Sequence, residues 1–263
     1  MKIHIKNKEE IEKIKISSKL ASEVLDMITE YMIENVSLEK INKICHEYIT
    51  EKQNAIPACL GYLGYPKSIC ISVNDVVCHG IPNKKQHLKD GDIVNVDVTI
   101  LKNGYYGDTS KMFAIGKINK TAKKLCQTTK KSLYLTFNKI KPGVPINIIG
   151  KTIEKETKKN GFSIVKEYCG HGIGKNFHEE PQILHYYNKN QNEPLQENMI
   201  FTIEPMINVG QSYVKLMKDN WTVKTQDRSL SAQYEHTILV TKNGCKILTK
   251  RKTETIPYEF NNK

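Results

Sequence analysis

The sequence predicts an α+β fold made of two similar halves, and three observations lead there. The predicted elements run in the order helices, strands, helices, strands. Each half carries a histidine just before a proline, in Cys78-His79-Gly80-Ile81-Pro82 and in Phe177-His178-Glu179-Glu180-Pro181. Each then presents a strand-like run that ends on an acid, Ile93-Val94-Asn95-Val96-Asp97 and Met199-Ile200-Phe201-Thr202-Ile203-Glu204. Two halves offering matching acids imply one shared site at their interface.

The elements follow from periodicity. Ile11, Ile14, Leu20, Ala21, Val24, Leu25, Ile28 and Met32 recur at helical spacing and predict a helix over about 8–34. Ser37 is placed to cap a second helix built on Leu38, Ile41, Ile44, Cys45 and Tyr48. Short β-rich runs come next, at 69–73, 93–99 and 105–109, and Lys102-Asn103-Gly104 signals a hairpin between the last two. Third and fourth helices fit about 119–138 and 146–159, separated by Lys141-Pro142-Gly143, with Gly161 as the stop. Strands are expected again at 200–204, 213–217, 233–240 and 246–248.

A chain of 263 residues can bury a substantial core, and 39% hydrophobic with 26% charged residues excludes a disordered or membrane-embedded class. No apolar run approaches a membrane span, and Met1-Lys2-Ile3-His4-Ile5-Lys6 lacks a signal-peptide core, so a cytoplasmic location is expected. Seven cysteines, odd in number and without a Cys-x-x-Cys pair, read as reduced thiols. The net charge of +12 admits a nucleic-acid partner such as the ribosome. Yet arginine occurs only at 228 and 251, and the lysines, scattered beside abundant Asn and Ile, read as codon bias of an AT-rich genome.

The chemistry-bearing signal is acids inside apolar strands. Asp97 in Val-Asn-Val-Asp-Val, Glu204 in Ile-Phe-Thr-Ile-Glu-Pro and Glu235 in Ala-Gln-Tyr-Glu-His-Thr-Ile all need a partner or a metal if buried. Asp108 follows Asp97 across the expected hairpin. One such acid is ordinarily a solvent-facing strand residue, but several in one chain point to a site. Clustered carboxylates repel, and two divalent cations cancel that charge. An oxygen-rich set without thiolate favours Mn, Fe or Co over a structural zinc. Cys169-Gly170-His171-Gly172-Ile173-Gly174-Lys175 has neither Rossmann nor Walker A spacing; its glycines are read as letting the backbone approach an ion bound by His171. A structural histidine is the alternative there.

These segments together resemble type I methionine aminopeptidases of the short bacterial form, in peptidase family M24. The resemblance is carried by 58–70, Val77-Cys-His-Gly-Ile-Pro82, Tyr168-Cys-Gly-His-Gly-Ile-Gly174, Phe177-His-Glu-Glu-Pro181, Phe201-Thr-Ile-Glu-Pro205, Asp219-Asn-Trp-Thr-Val-Lys224 and Gln233-Tyr-Glu-His236. It runs from the first helix to about Pro257. It implies a pseudo-twofold "pita-bread" fold, with a curved antiparallel sheet and two helix pairs on its outer face. The expectation is one catalytic domain over 1–263, in halves of about 1–110 and 111–263.

The resemblance further implies metal ligands at Asp97, Asp108, His171, Glu204 and Glu235, with Asp108 and Glu235 bridging two divalent ions (Co, Mn, Fe or Zn). It implies a monovalent cation near Asn74, Val76 and Ser231. Glu204 is expected as general base, His79 on the leaving nitrogen and His178 on the carbonyl oxygen; the plainer reading of His79 is a turn residue. The methionine pocket is expected from Cys59, Tyr62, Tyr65, Cys70, Phe177 and Trp221. The activity implied is removal of initiator methionine from nascent polypeptide N-termini when the second residue is small, by a monomer. Lys2 follows Met1, so the chain is expected to keep its own methionine. Two other readings remain: a proline-specific peptidase of the same fold, and a non-catalytic binding module, which typically loses metal ligands.

Overall fold

The computed structural model describes residues 3–255, so Met1, Lys2 and Pro257 lie outside the described residues. Helix α1 spans Lys8–Ile28, and Asn7 caps it by accepting from the Glu10 amide while Glu10 reaches back to Asn7. This capping box fixes the start. The helix ends earlier than the expected 34, giving way to a 3-10 turn over Thr29–Tyr31. Helix α2 covers Leu38–Glu47, and the Ser37 hydroxyl accepts from Lys40 N at 3.2 Å.

Strands β1 (Ile56–Pro57), β2 (Cys70–Val73), β3 (Val76–Cys78), β4 (Ile93–Lys102) and β5 (Tyr105–Ala114) follow. The β4–β5 turn is Asn103-Gly104, both with positive φ (53° and 77°), the handedness a two-residue hairpin requires. β4 lies between β1 and β2 on one side and β5 on the other. Both faces of β4 are largely buried because α1 and α2 cover one of them, with Val24, Leu25, Ile28 and Ile41 packed on Ile71, Val94, Val96 and Val98.

The second half repeats this plan. Helices α3 (Lys120–Phe137) and α4 (Ile148–Lys159) pack on each other, and Leu133, Phe137, Ile149 and Ile153 cover strand residues Phe201, Ile203, Ile238 and Val240. Short strands β6 (Ser163–Ile164), β7 (Gly170–Gly172), β8 (Glu179–Ile183), β9 (Ile200–Ile203), β10 (Met206–Asn208), β11 (Val214–Leu216), β12 (Val223–Thr225), β13 (Ser231–Gln233), β14 (His236–Thr241) and β15 (Gly244–Ile247) complete the order. They form three antiparallel sheets, β15-β14-β9-β7-β8, β13-β10-β6 and β11-β12-β3.

Three expectations need correction. Asp97 is not at the end of a strand but in the middle of β4, which continues to Lys102. The run expected over 233–240 is two strands, broken at Tyr234-Glu235, and β9 and β10 are broken opposite it at Glu204-Pro205. Pro205 has no N–H for the ladder, so the paired strands must part there. The lysines, finally, are not evenly scattered. Residues 120–159 hold eleven lysines against Glu154 and Glu156, nine of the twelve net charges. Most of these lysines, including Lys120, Lys123, Lys124, Lys151, Lys155 and Lys159, are exposed on the α3–α4 pair. All seven cysteines are free thiols, and no helix among the described residues is long and apolar enough to cross a membrane.

Candidate metal centre

Strand register assembles the acids. Asp97 is opposite Ser110 and Thr99 opposite Asp108, so these four share one face of the β4–β5 hairpin. The break in the other sheet turns Glu204 and Glu235 toward that face, and Glu235 N donates to Ser110 O at 3.2 Å. His171 enters from β7, its amide bonded to Thr202 Oγ1 at 3.0 Å. Ligand atoms of Asp108, His171 and Glu235 all lie within 4.8 Å of one another, and His171 Nε2 is 3.6 Å from Glu204 Oε1.

Burial sets the charge states. It pushes Asp97 up to about 7 and Glu204 up to about 8. Asp108 and Glu235 go well above the usual carboxylate range, from burial and then from neighbouring acids. Burial drives His171 down to about 3, so its contacts with Asp108 and Glu204 join a neutral ring to protonated acids and are not ion pairs. The Nδ1–H of that ring donates to Gly172 O at 3.0 Å, which leaves the Nε2 lone pair facing the carboxylates. Asp97 Oδ1 is buried with no hydrogen-bond partner. Four crowded acids, an orphaned oxygen and an imidazole lone pair aimed at one point fit divalent cations of oxygen-and-nitrogen preference.

Two threonines hold acids, Thr99 from across the β4–β5 hairpin and Thr202 from two residues earlier on its own strand. Thr99 Oγ1 donates to Asp108 Oδ1 at 2.9 Å, and Thr202 Oγ1 to Glu204 Oε1 at 2.8 Å. Gln233 Nε2 reaches Glu204 Oε2, and Glu204 N donates to buried His185 Nε2 at 3.1 Å. Sequence reading missed these residues. For Thr202 the signal was present in Thr202-Ile203-Glu204, where spacing by two puts hydroxyl and carboxylate on one face; Thr99 meets Asp108 only through the β4–β5 register. The glycines beside His171 have a packing reason. A Cβ on Gly170 would sit 2.3 Å from Thr202 O, and one on Gly172 would sit 2.2 Å from Glu180 O. They allow β7 to lie between its two neighbouring strands.

The cluster forms the floor of a cavity of about 340 Å³. Cys59, Tyr62, Tyr65, Cys70, His79, Phe177, His178 and Trp221 all line it, together with Tyr168, Met206 and Leu63, which sequence reading did not single out. One wall is a buried apolar group of Cys59, Tyr65, Cys70 and Phe177. Trp221 meets Tyr65 edge-on at 5.1 Å, and Phe177 stacks on His178 at 4.5 Å. His79 follows β3 with φ of 55°, a strained conformation for a non-glycine residue, and its ring is T-shaped to Tyr168 and Trp221. Burial, and secondarily the proximity of His178, brings His79 down to about 4. The exposed His178 accepts from or donates to Tyr62 Oη through Nδ1 at 2.8 Å. Burial also lowers His178.

Asn74, Val76 and Ser231 lie apart from this cavity. Ser231 N donates to Asn74 O at 2.9 Å, joining the β2–β3 turn to β13. Ser231 Oγ and the Oδ1 of its cross-strand neighbour Asn208 are buried without partners.

Known proteins match this chain along nearly its whole length. The sequence model of metallopeptidase family M24 matches residues 12–242. A methionine aminopeptidase of Buchnera aphidicola (subspecies Acyrthosiphon pisum) is 61% identical over 258 residues, covering 98% of each chain. The methionine aminopeptidase of Escherichia coli is 57% identical over 257 residues, covering 98% of this chain and 97% of that one. The crystal structure of methionine aminopeptidase from Rickettsia prowazekii superposes with a TM-score of 0.92 at 47% identity, covering 95% of this chain and 100% of that one.

Proposed function

The chain belongs to metallopeptidase family M24, and from that premise we propose how its buried carboxylates and apolar cavity perform its reaction, the metal-dependent removal of N-terminal methionine. The observation that carries this reading is the meeting of four acids and His171 on the floor of a cavity walled by thiols and aromatic rings. Asp97, Asp108, His171, Glu204 and Glu235 would hold two divalent ions. When bound, such ions supply Lewis acidity and a nucleophile near neutral pH. Mn, Fe, Co and Zn all suit the donor set.

The chain's own groups do the rest. Glu204, held at both oxygens by Thr202 and Gln233, takes the proton of the attacking water and passes it to the leaving amine. Tyr62 keeps its proton, because burial raises it, and donates to His178 Nδ1. His178 Nε2–H then points its proton to the substrate carbonyl oxygen as charge develops there. His79, neutral and fixed by its backbone and by Trp221, hydrogen-bonds the leaving nitrogen. The thioether of methionine packs among Cys59, Tyr65, Cys70, Phe177 and Trp221; sulfur–aromatic contacts of about 0.3–1.5 kcal/mol favour it over a branched side chain. Only a small second residue is accepted.

The two halves, about 1–110 and 111–263, act as one catalytic domain with the site between them. The unpartnered Ser231 Oγ and Asn208 Oδ1, beside Asn74 and Val76, support a monovalent cation there. Substrates are nascent polypeptide N-termini, met in the cytoplasm by a monomer. The exposed lysines of α3 and α4 favour contact with ribosomal RNA near the exit tunnel over codon bias alone, since bias would not concentrate charge on one helix pair. The deciding assay is hydrolysis of Met-Ala-Ser by metal-stripped protein with Mn²⁺, Fe²⁺ or Co²⁺ restored. Methionine release from that peptide, and not from Met-Lys-Ser, is expected. No release with any metal would leave the binding-module reading.

A further inference from the structure

The segment after β15 ends in a buried ion pair that is bonded, through one hydroxyl, to the backbone of the candidate centre. Arginine occurs only at 228 and 251 in this lysine-rich chain, and Arg251 is 3% exposed. Its Nη2 pairs with buried Glu254 and faces His236 Nε2 at 3.4 Å, while its Nη1 donates to Thr109 Oγ1 at 3.2 Å. A lysine has no planar fork to serve these partners together. The segment is pinned from outside as well, since Asp26 of α1 accepts from Lys252 N at 2.9 Å and from Thr253 Oγ1 at 2.7 Å. His236 is held between Thr249 Oγ1 at 2.9 Å and Tyr134 Oη of α3 at 3.1 Å.

Thr109 is the junction. Its oxygen accepts a hydrogen bond from Arg251, so its own hydroxyl proton is directed elsewhere, to Glu235 O at 2.7 Å. Thr109 directly follows Asp108, and Thr237 makes the reciprocal strap: its Oγ1 donates to Asp108 O at 2.7 Å. The backbones of Asp108 and Glu235 are thereby crossed by two threonine bonds, and the guanidinium sets the direction of one of them. An apolar pair in place of Arg251 and Glu254 could fill the same volume without loss of stability, but could not donate to Thr109.

We propose that Arg251, anchored by Glu254, is a positioning residue that acts through Thr109 to fix the spacing of Asp108 and Glu235. This rests on reading those two carboxylates as metal ligands. Outer partners of metal ligands are typically worth about 10–100-fold in metal affinity, and this strap holds the main chain that carries two of them.

The test uses the full chain stripped of metal, as wild type, Thr109→Val, Thr109→Ser and Arg251→Lys. Mn²⁺ binding is followed by calorimetry, Co²⁺ binding by its visible absorption spectrum, and folding of the stripped proteins by thermal melting. Thr109→Val should melt about 2–4 °C lower, as loss of one hydrogen bond implies. It should bind Mn²⁺ at least about tenfold more weakly, with a shifted Co²⁺ spectrum. Arg251→Lys should move both metal readouts the same way, and Thr109→Ser should restore them. Mn²⁺ affinity within about twofold of wild type in Thr109→Val, with an unchanged Co²⁺ spectrum, overturns the proposal. Failure of the wild type itself to bind either metal would instead remove the ligand reading beneath it.

Discussion

Removing the metals should make the protein's stability fall as pH rises, and Glu204 is the residue on which this is best measured. In an unfolded chain its carboxyl titrates near 4.5; in the folded, metal-free protein it holds its proton up to about 8. Between those limits the folded state binds more protons, so stability present below pH 4.5 is lost as pH climbs through 8. A displacement of that size is on the order of 5 kcal/mol, a large part of the ordinary stability of a domain. Neutral His171 and His79 act with the opposite sign, adding stability above their unfolded value near 6.5 and losing it as pH falls toward 3–4. The informative quantity is therefore the difference between wild type and Glu204→Gln. Urea unfolding of both stripped proteins from pH 5 to 9 should show wild type declining relative to the variant by a few kcal/mol. Saturating Mn²⁺ should reverse the trend in wild type, because the ion displaces protons from the same oxygens and gains more as pH rises. Parallel pH profiles for the two stripped proteins would refute the reasoning, since Glu204 would then not be a buried acid forced to keep its proton.

His79→Ala should lower kcat by about 10²–10⁴-fold with little change in KM for Met-Ala-Ser; a change in KM alone would return His79 to a turn residue. Tyr62→Phe removes the donor that sets the His178 tautomer, and should lower kcat by about five- to tenfold in steady-state assays. Gly172→Ala places a Cβ 2.2 Å from Glu180 O, and should cost about 1–3 kcal/mol by thermal melting even in the stripped protein. Intact mass of the expressed chain should include Met1, because Lys2 is too large a second residue; a mass short by one methionine would contradict the proposed specificity.

Helix placement was legible because it is a local property. Ser37, Gly161 and the apolar spacing of Ile14, Val24 and Leu25 lie within a turn or two of what they specify. The β4–β5 hairpin was equally local, since Asn103-Gly104 states its own turn geometry. Motifs long enough to resemble a known family also named the acids, the histidines and the pocket lining. Short strands such as β3, β7 and β8 were not legible, since three to five residues carry too little alternation and their pairing is long-range. Glycines at 170 and 172 were visible, but their purpose was not: the oxygens that exclude a Cβ belong to Thr202 and Glu180, brought there by folding.

By itself, then, the sequence determined which residue types are available for chemistry and which face of each long element is apolar. Tertiary structure decided how those residues meet. Asp97 and Asp108 became neighbours through strand register, and Glu204 and Glu235 turned inward because two paired strands break opposite each other at Pro205. It also decided that Arg251 lies behind Thr109, 142 positions earlier in the chain. The physical reason is that hydrogen bonds and burial act over a few ångströms of space, and only folding converts separation along the chain into that distance.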